Sequence, residues 1–149
     1  MALGPAPMTP DDIADIAAWG ASTVVTLMPS DELDGLGIGN LPSWTARHSM
    51  MHQHAPIQDF GTPGPIFQAN WPSLCQHLRA RLDAGERVLV HCRGGHGRSG
   101  TIVAALLVDS GLATEDAISM IRRVRPGAIE TPGQEDWLRT LEDRNAGPG

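Results

Sequence analysis

An apolar run, Arg87-Val88-Leu89-Val90, ends in the segment His91-Cys92-Arg93-Gly94-Gly95-His96-Gly97-Arg98-Ser99-Gly100-Thr101. A second apolar run, Ile102 to Val108, follows at once. The order is strand, glycine-rich loop, helix, and it constrains the fold more than any other feature of the chain. Five residues separate Cys92 from Arg98. A loop so short wraps back on itself and turns its backbone N–H groups inward. The helix behind it adds the positive end of its dipole. The expected product is an oxyanion cradle with a thiol at its floor. Gly94, Gly95, Gly97 and Gly100 allow the backbone angles such a nest requires.

A phosphate fits this cradle, and a thiolate there can attack it. The helix start, the inward N–H groups and Arg98 all favour the thiolate of Cys92. Arg98 offers a planar fork for two phosphate oxygens. Arg93, Gly94, Gly95, His96 and Gly97 supply the rest of the phosphate-binding loop. Ser99 can donate a hydrogen bond to the sulfur. His91 is expected to point away from the pocket and to bond the loop backbone. A structural cysteine in a glycine-rich turn is the bland alternative. The coincidence of four glycines, an arginine and a helix start argues against it.

Thiolate attack on a phosphoester needs an acid for the leaving oxygen. Asp59 is the candidate, in the Gly/Pro-rich loop Pro56 to Gly64 that can close over a substrate. Spacing alone does not separate this role from that of a surface aspartate. Asp59-Phe60-Gly61 also spells a kinase tripeptide, but a kinase needs a lysine on its ATP and the chain has none.

The remaining pattern frames that loop. Thr9 with Pro10 opens a helix that ends at Gly20. Strands are expected over Thr23–Met28, Met50–His54 and Arg87–His91. Short helical turns are expected at Ser30–Leu33 and from Asn40 to about His48. Longer helices are expected over Ile66–Ala84, from near Arg98 to Asp109, from a Thr114 cap to Val124, and from Thr131-Pro132 to about Asp143. The tail from Asn145 reads as frayed. Strands alternating with helices predict an α/β fold. It is a single domain, residues 1–149 with its core over about 9–144. Its central, mostly parallel sheet has four to five strands flanked by helices on both faces.

Composition excludes several classes. A net charge of −6 argues against nucleic acid and anionic lipid as partners. No apolar run is long enough to span a membrane, and the amino terminus does not read as a signal peptide. Two cysteines make no disulfide framework. A chain that needs a free thiol belongs in a reducing compartment, so a cytoplasmic location is expected. The thiol chemistry calls for no cofactor and no metal. His48, His52 and His54 have metal-like spacing, but no cysteine or carboxylate completes a set nearby. Cys75 reads as a packed helix thiol rather than a redox partner for Cys92. Arg122, Arg123 and Arg125 suit a helix C-terminus, or a rim that attracts acidic substrates.

The segment Val90 to Thr101 resembles the signature of the Cys-based protein phosphatases of the tyrosine and dual-specificity superfamily. Three further segments look like the kinase-associated phosphatase branch: Leu27 to Gly39, His54 to Asp59 with Thr62-Pro63, and Arg125 to Glu130. The resemblance implies Cys92 as nucleophile, Arg98 as phosphate binder, and Asp59 as acid and then base. It implies that Ser99 assists departure of the thiolate, and that Gln134 orients the hydrolytic water. It implies a phosphorylated protein substrate. No segment resembles the phosphotyrosine-recognition loop of the tyrosine-specific enzymes, and the chain has no tyrosine to stack on a substrate ring. A shallow pocket open to phosphoserine and phosphothreonine as well as phosphotyrosine is the expectation. Alternatives are a phosphorylated small molecule or inositide as substrate, a non-catalytic phosphopeptide-binding module, and a rhodanese-like sulfurtransferase. Arg98, the Gly97–Gly100 run and Asp59 count against the last.

Overall fold

The computed structural model describes residues 1–146. Four parallel strands form one sheet in the order β1-β4-β2-β3: β1 (Ala2–Gly4), β2 (Ala21–Thr26), β3 (Met51–His54) and β4 (Arg87–His91). Seven helices surround it: α1 (Pro10–Trp19), α2 (Ser30–Gly35), α3 (Leu41–Ala46), α4 (Pro65–Asp83), α5 (Gly97–Asp109), α6 (Thr114–Val124) and α7 (Pro132–Ala146). The α/β class, the parallel sheet and its helices on both faces are as the sequence predicts.

Strand alternation builds two cores. Val88, Val90 and Val25 face Ile102, Val103, Leu106, Ile118 and Leu138. Val24 and Leu89 face the other way, toward Ile13, Leu33 and Leu41. Residues on successive positions of a strand point to opposite faces, so each strand serves both layers. Burial of this apolar surface, roughly 25 cal/mol per Å², drives the assembly. Thr9 caps α1, its hydroxyl accepting from the Asp12 N–H at 3.2 Å. Gly20 ends the helix in the left-handed conformation at φ 101°.

The structure departs from the sequence reading in four places. The second strand lies two residues earlier than the Thr23–Met28 run: it ends at Thr26, Leu27 still bonds His91 and Ile57 on either side, and Met28 leads into α2. Thr114 does not cap α6. Ala113 holds that position without a side-chain bond, and the Thr114 N–H instead donates to Glu142 at 3.1 Å. The fold begins well before residue 9: Ala2–Gly4 pairs with Leu89–His91 as an edge strand. Asn145 still belongs to α7, its amide donating to the Val108 carbonyl at 2.9 Å. The rest of the expected frayed tail, 147–149, lies outside the described residues.

All strands run the same way, so their carboxyl ends share one edge. Gly4 leads to Pro5-Ala6, Thr26 to α2, His54 to the Asp59 loop and His91 to Cys92. Open parallel sheets bind ligands at that edge.

Candidate active site

Cys92 follows β4 directly at 3% exposure, and Arg98 is the second residue of α5 at 2%. Between them the carbonyl oxygens of the loop are tied outward. The Cys92 carbonyl meets His91 Nδ1 at 3.3 Å. The Arg93 carbonyl accepts from the Ala6 N–H at 3.1 Å. Arg125 holds two at once, Nη2 to Gly94 and Nε to Gly95, both at 3.0 Å. The His96 carbonyl accepts from the N–H groups of Gly100 and Ile129. A peptide unit is planar and trans, so its C=O and N–H point opposite ways. Each carbonyl turned out therefore turns the following N–H in, and the Gly95 N–H reaches Cys92 Sγ at 3.3 Å. This is the physical origin of the cradle expected from the glycine pattern.

Two glycines meet specific demands. Gly95 has φ +76°, and a Cβ there would lie 2.6 Å from the Gly4 carbonyl carbon. Its missing side chain lets the amino-terminal segment reach the loop. A Cβ at Gly100 would lie 2.9 Å from that of Ala128, which seats the 125–130 segment on α5. Arg122 braces the same segment through the carbonyls of Ala128 and Ile129. Arg122 and Arg125 of the basic run thus brace the loop and the segment behind it by hydrogen bonding.

Arg98 has five N–H donors, and their allocation defines what remains for a ligand. Glu32 of α2 takes the end of the fork: Nη1 to Oε1 and Nη2 to Oε2, both 2.9 Å. The other Nη1 hydrogen goes to the Ile57 carbonyl at 3.0 Å. Nε–H and one Nη2–H are left, side by side on one edge. That pair suits two oxygens of a phosphate. Asp59 Oδ1 lies 3.3 Å from Nη2 as an ion-pair contact. Burial opposes the charge on Arg98, but Glu32, then Asp59 and Cys92, outweigh it and raise its pKa.

Ser99 is fully buried, with Oγ 3.3 Å from Cys92 Sγ. His91 is also fully buried and bonds the loop backbone, as expected from the sequence; burial lowers its pKa to about 4. Its Nε2 meets Thr26 Oγ1 at 2.7 Å, and that hydroxyl meets His52 Nε2, also at 2.7 Å. His54 Nε2 lies 2.7 Å from the Met28 carbonyl. The histidines of β3 thus have hydrogen-bond partners within the sheet end.

Asp59 is largely exposed, its Oδ1 accepting from the Phe60 N–H at 3.0 Å. Gln134 is fully buried and fastens the far end of that loop. Its Oε1 accepts from the N–H groups of Glu130 and Thr131, and its Nε2 donates to the Gly61 carbonyl at 3.2 Å. Its carboxamide is thus committed to a tether between α7 and the acid loop. Arg93 and Gly94 stay exposed at the rim, and His96 is half-buried. A groove of about 770 Å³ runs beside the acid loop, lined by His54, Pro56, Phe67 and Leu74, and does not include Cys92. Cys75 is remote from the cradle. It bonds Asp109 at 3.3 Å, and burial, then that carboxylate, push its thiol up to about 12.

Sequence reasoning missed Glu32 as a site residue and the brace that Arg125 provides for the loop. Both lie in segments that carry the family resemblance, and that was the available signal.

A family model, "Swiss Army Knife protein, DSP-PTPase phosphatase domain", matches residues 1–138. "Cyclin-dependent kinase inhibitor 3" of Rattus norvegicus is 30% identical over 138 residues, covering 91% of this chain and 64% of the relative. "Protein tyrosine phosphatase type IVA 3" of Mus musculus is 35% identical over 127 residues, covering 80% and 64%. The chain thus spans just under two thirds of the length of these curated relatives. Among solved structures, Tk-PTP in its active form superposes with a TM-score of 0.79 at 32% identity, covering 94% of this chain and 89% of that one. Kinase-associated phosphatase, with its catalytic cysteine replaced by serine, gives 0.82 at 26% identity, covering 94% and 79%. The chain belongs to the Cys-based tyrosine and dual-specificity phosphatase superfamily, in the DSP-PTPase family whose model it matches.

Proposed function

We propose that the protein hydrolyses phosphomonoesters on proteins, phosphotyrosine and also phosphoserine and phosphothreonine, through a phosphocysteine intermediate. One observation carries the reading: a buried thiol sits under inward N–H groups, beside the free edge of Arg98, with Asp59 3.3 Å from Arg98 Nη2. Phosphate binds between the loop and the Nε–Nη2 edge, displacing Asp59 from Nη2. The sulfur of Cys92 attacks phosphorus and the P–O ester bond breaks. The electron pair leaves with the ester oxygen, which takes a proton from Asp59. Water then attacks phosphorus and gives its proton to the Asp59 carboxylate. The P–S bond breaks, and the Ser99 hydroxyl donates to the departing thiolate. Gln134 fixes the loop that carries the acid. No step calls for a metal or other cofactor.

The exposed Asp59 and the absence of tyrosine support a site open to short as well as long phosphorylated side chains. A thiol nucleophile also supports a reducing compartment such as the cytoplasm. No helix among the described residues is long and apolar enough to cross a membrane.

The test is hydrolysis of an aryl phosphate with EDTA present, followed by phosphotyrosyl and phosphothreonyl peptides. Turnover by the wild type is expected, with none from Cys92→Ser and a loss of about 10²-fold or more from Asp59→Ala. A folded wild type that turns over none of these substrates would overturn the proposal.

A further inference from the structure

We infer that Thr26 and His52 are positioning residues of the thiol loop, acting through the tautomer of His91. The inference rests on the reading of the Cys92 loop as a phosphate cradle.

A carbonyl oxygen only accepts, so His91 Nδ1, 3.3 Å from that of Cys92, carries a proton. His91 is fully buried with no carboxylate bonded to it and is neutral. Its Nε2 is therefore a bare acceptor. Thr26 Oγ1 stands 2.7 Å from it and supplies its one hydrogen there. The same oxygen then accepts from His52, also at 2.7 Å. Every donor points inward: His52 to Thr26, Thr26 to His91, His91 to Cys92.

The register of the sheet pairs Thr26 with His91, and His52, two residues before Thr26's partner on β3, projects from the same face. Thr26 of β2 lies opposite both His54 of β3 and His91 of β4. The groups acting on His91 through charge are His52 and His54 on β3 and Arg98 on α5. None is acidic, so no charge pulls a second proton onto the ring. In the other tautomer, Nδ1 would turn a lone pair on the Cys92 oxygen. The Cys92–Arg93 peptide would lose its outward tie, and the Arg93 N–H its inward aim. The β3 edge of the sheet thereby sets one donor of the anion cradle.

The test uses ¹⁵N-histidine NMR, which distinguishes the two tautomers, and the affinity for tungstate by calorimetry. Wild-type His91 is expected as the Nδ1–H form. Thr26→Val should give a mixture of tautomers and weaken tungstate about tenfold, the scale of one hydrogen bond to a charged group. Thr26→Ser should restore both. An Nε2–H wild type, or a Thr26→Val protein with unchanged tautomer and affinity, overturns the inference. Should Thr26→Val fail to fold, His52→Ala on the half-buried edge strand replaces it. A drop in affinity rescued by His52→Gln supports the inference, and no drop overturns it. A wild type that binds tungstate without hydrolysing phosphoesters would remove the proposed reaction, and these variants would still decide the inference.

Discussion

Glu32 grips Arg98 end-on, with both contacts at 2.9 Å, and so decides which edge of the guanidinium faces the cradle. The arginine is almost fully buried and the glutamate is 18% exposed, so water screens the pair only in part. A free Arg98 could rotate its fork. The clamped one presents Nε and Nη2 before a ligand arrives, which lowers the ordering cost of binding.

Glu32→Gln keeps the volume and one acceptor but removes the charge and one of the two bonds. The expected result is a tungstate affinity about tenfold weaker, with a modest fall in Tm. Calorimetry and a thermal melt measure the two. An affinity equal to the wild type would show that Arg98 is held by its other contacts alone.

Gly95→Ala places a methyl group 2.6 Å from the Gly4 carbonyl carbon and does so at φ +76°. The left-handed angle alone costs about 1–2 kcal/mol for a residue with a Cβ. The collision adds to it by pushing the Gly4–Ala6 segment away, and with it the Ala6 N–H that holds the Arg93 carbonyl. Hydrogen exchange at Ala6 should accelerate and tungstate binding should fall by more than in the Glu32 variant. Unchanged protection at Ala6 would contradict this account.

His91 ties stability to pH. Burial lowers its pKa from 6.5 to about 4, so the folded protein holds it neutral. The unfolded chain takes up the proton below 6.5, and the folded protein only below about 4. The stabilisation is fully present above the unfolded value and is lost as pH falls through this window. Its size is on the order of 3 kcal/mol. His52, shifted in the same direction by burial and then by His54, adds to the slope. Urea midpoints at about pH 7 and about pH 4.5 should differ for the wild type and differ much less for His91→Asn. Equal slopes in the two proteins would mean that His91 is not the titrating group.

Gln134 separates two functions of one side chain. Gln134→Ala strands the N–H groups of Glu130 and Thr131 and should destabilise the protein by about 2–3 kcal/mol. Gln134→Glu keeps both accepted bonds, at a helix start that tolerates negative charge. It replaces the donor to Gly61 with a carboxylate oxygen that faces the same carbonyl. A smaller loss of stability than in the alanine variant, with a reduced kcat, is expected for the glutamate variant. A kcat that stays at the wild-type level would mean that the acid loop needs no such tether.

What the sequence made legible follows the range of the interactions. The loop from Cys92 to Thr101 is local: strand, glycines and helix start are adjacent in the chain, so its shape could be derived from them. The two covered sheet faces were legible because Val88-Leu89-Val90 is a short continuous apolar run, and strands alternate with helices along the chain. Glu32 and Arg98 are 66 positions apart and meet because β2 and β4 are neighbours with parallel ends. No spacing rule encodes that meeting. Residues 2–6 were undervalued for a related reason. Three residues of strand carry little pattern, and their worth lies in the edge of β4 and in one bond to Arg93. Thr26 carried no signal at all, since a threonine in a strand usually only packs.

The Cys92 loop is also held from two sides by segments far apart in the chain: Ala6 ahead of α1 and Ile129 ahead of α7. It works as a clasp. Loosening of either segment reaches the anion cradle directly, while the two apolar layers stay shut. Phosphate binding should therefore fail before the fold does, and a bound oxyanion should stiffen both segments together.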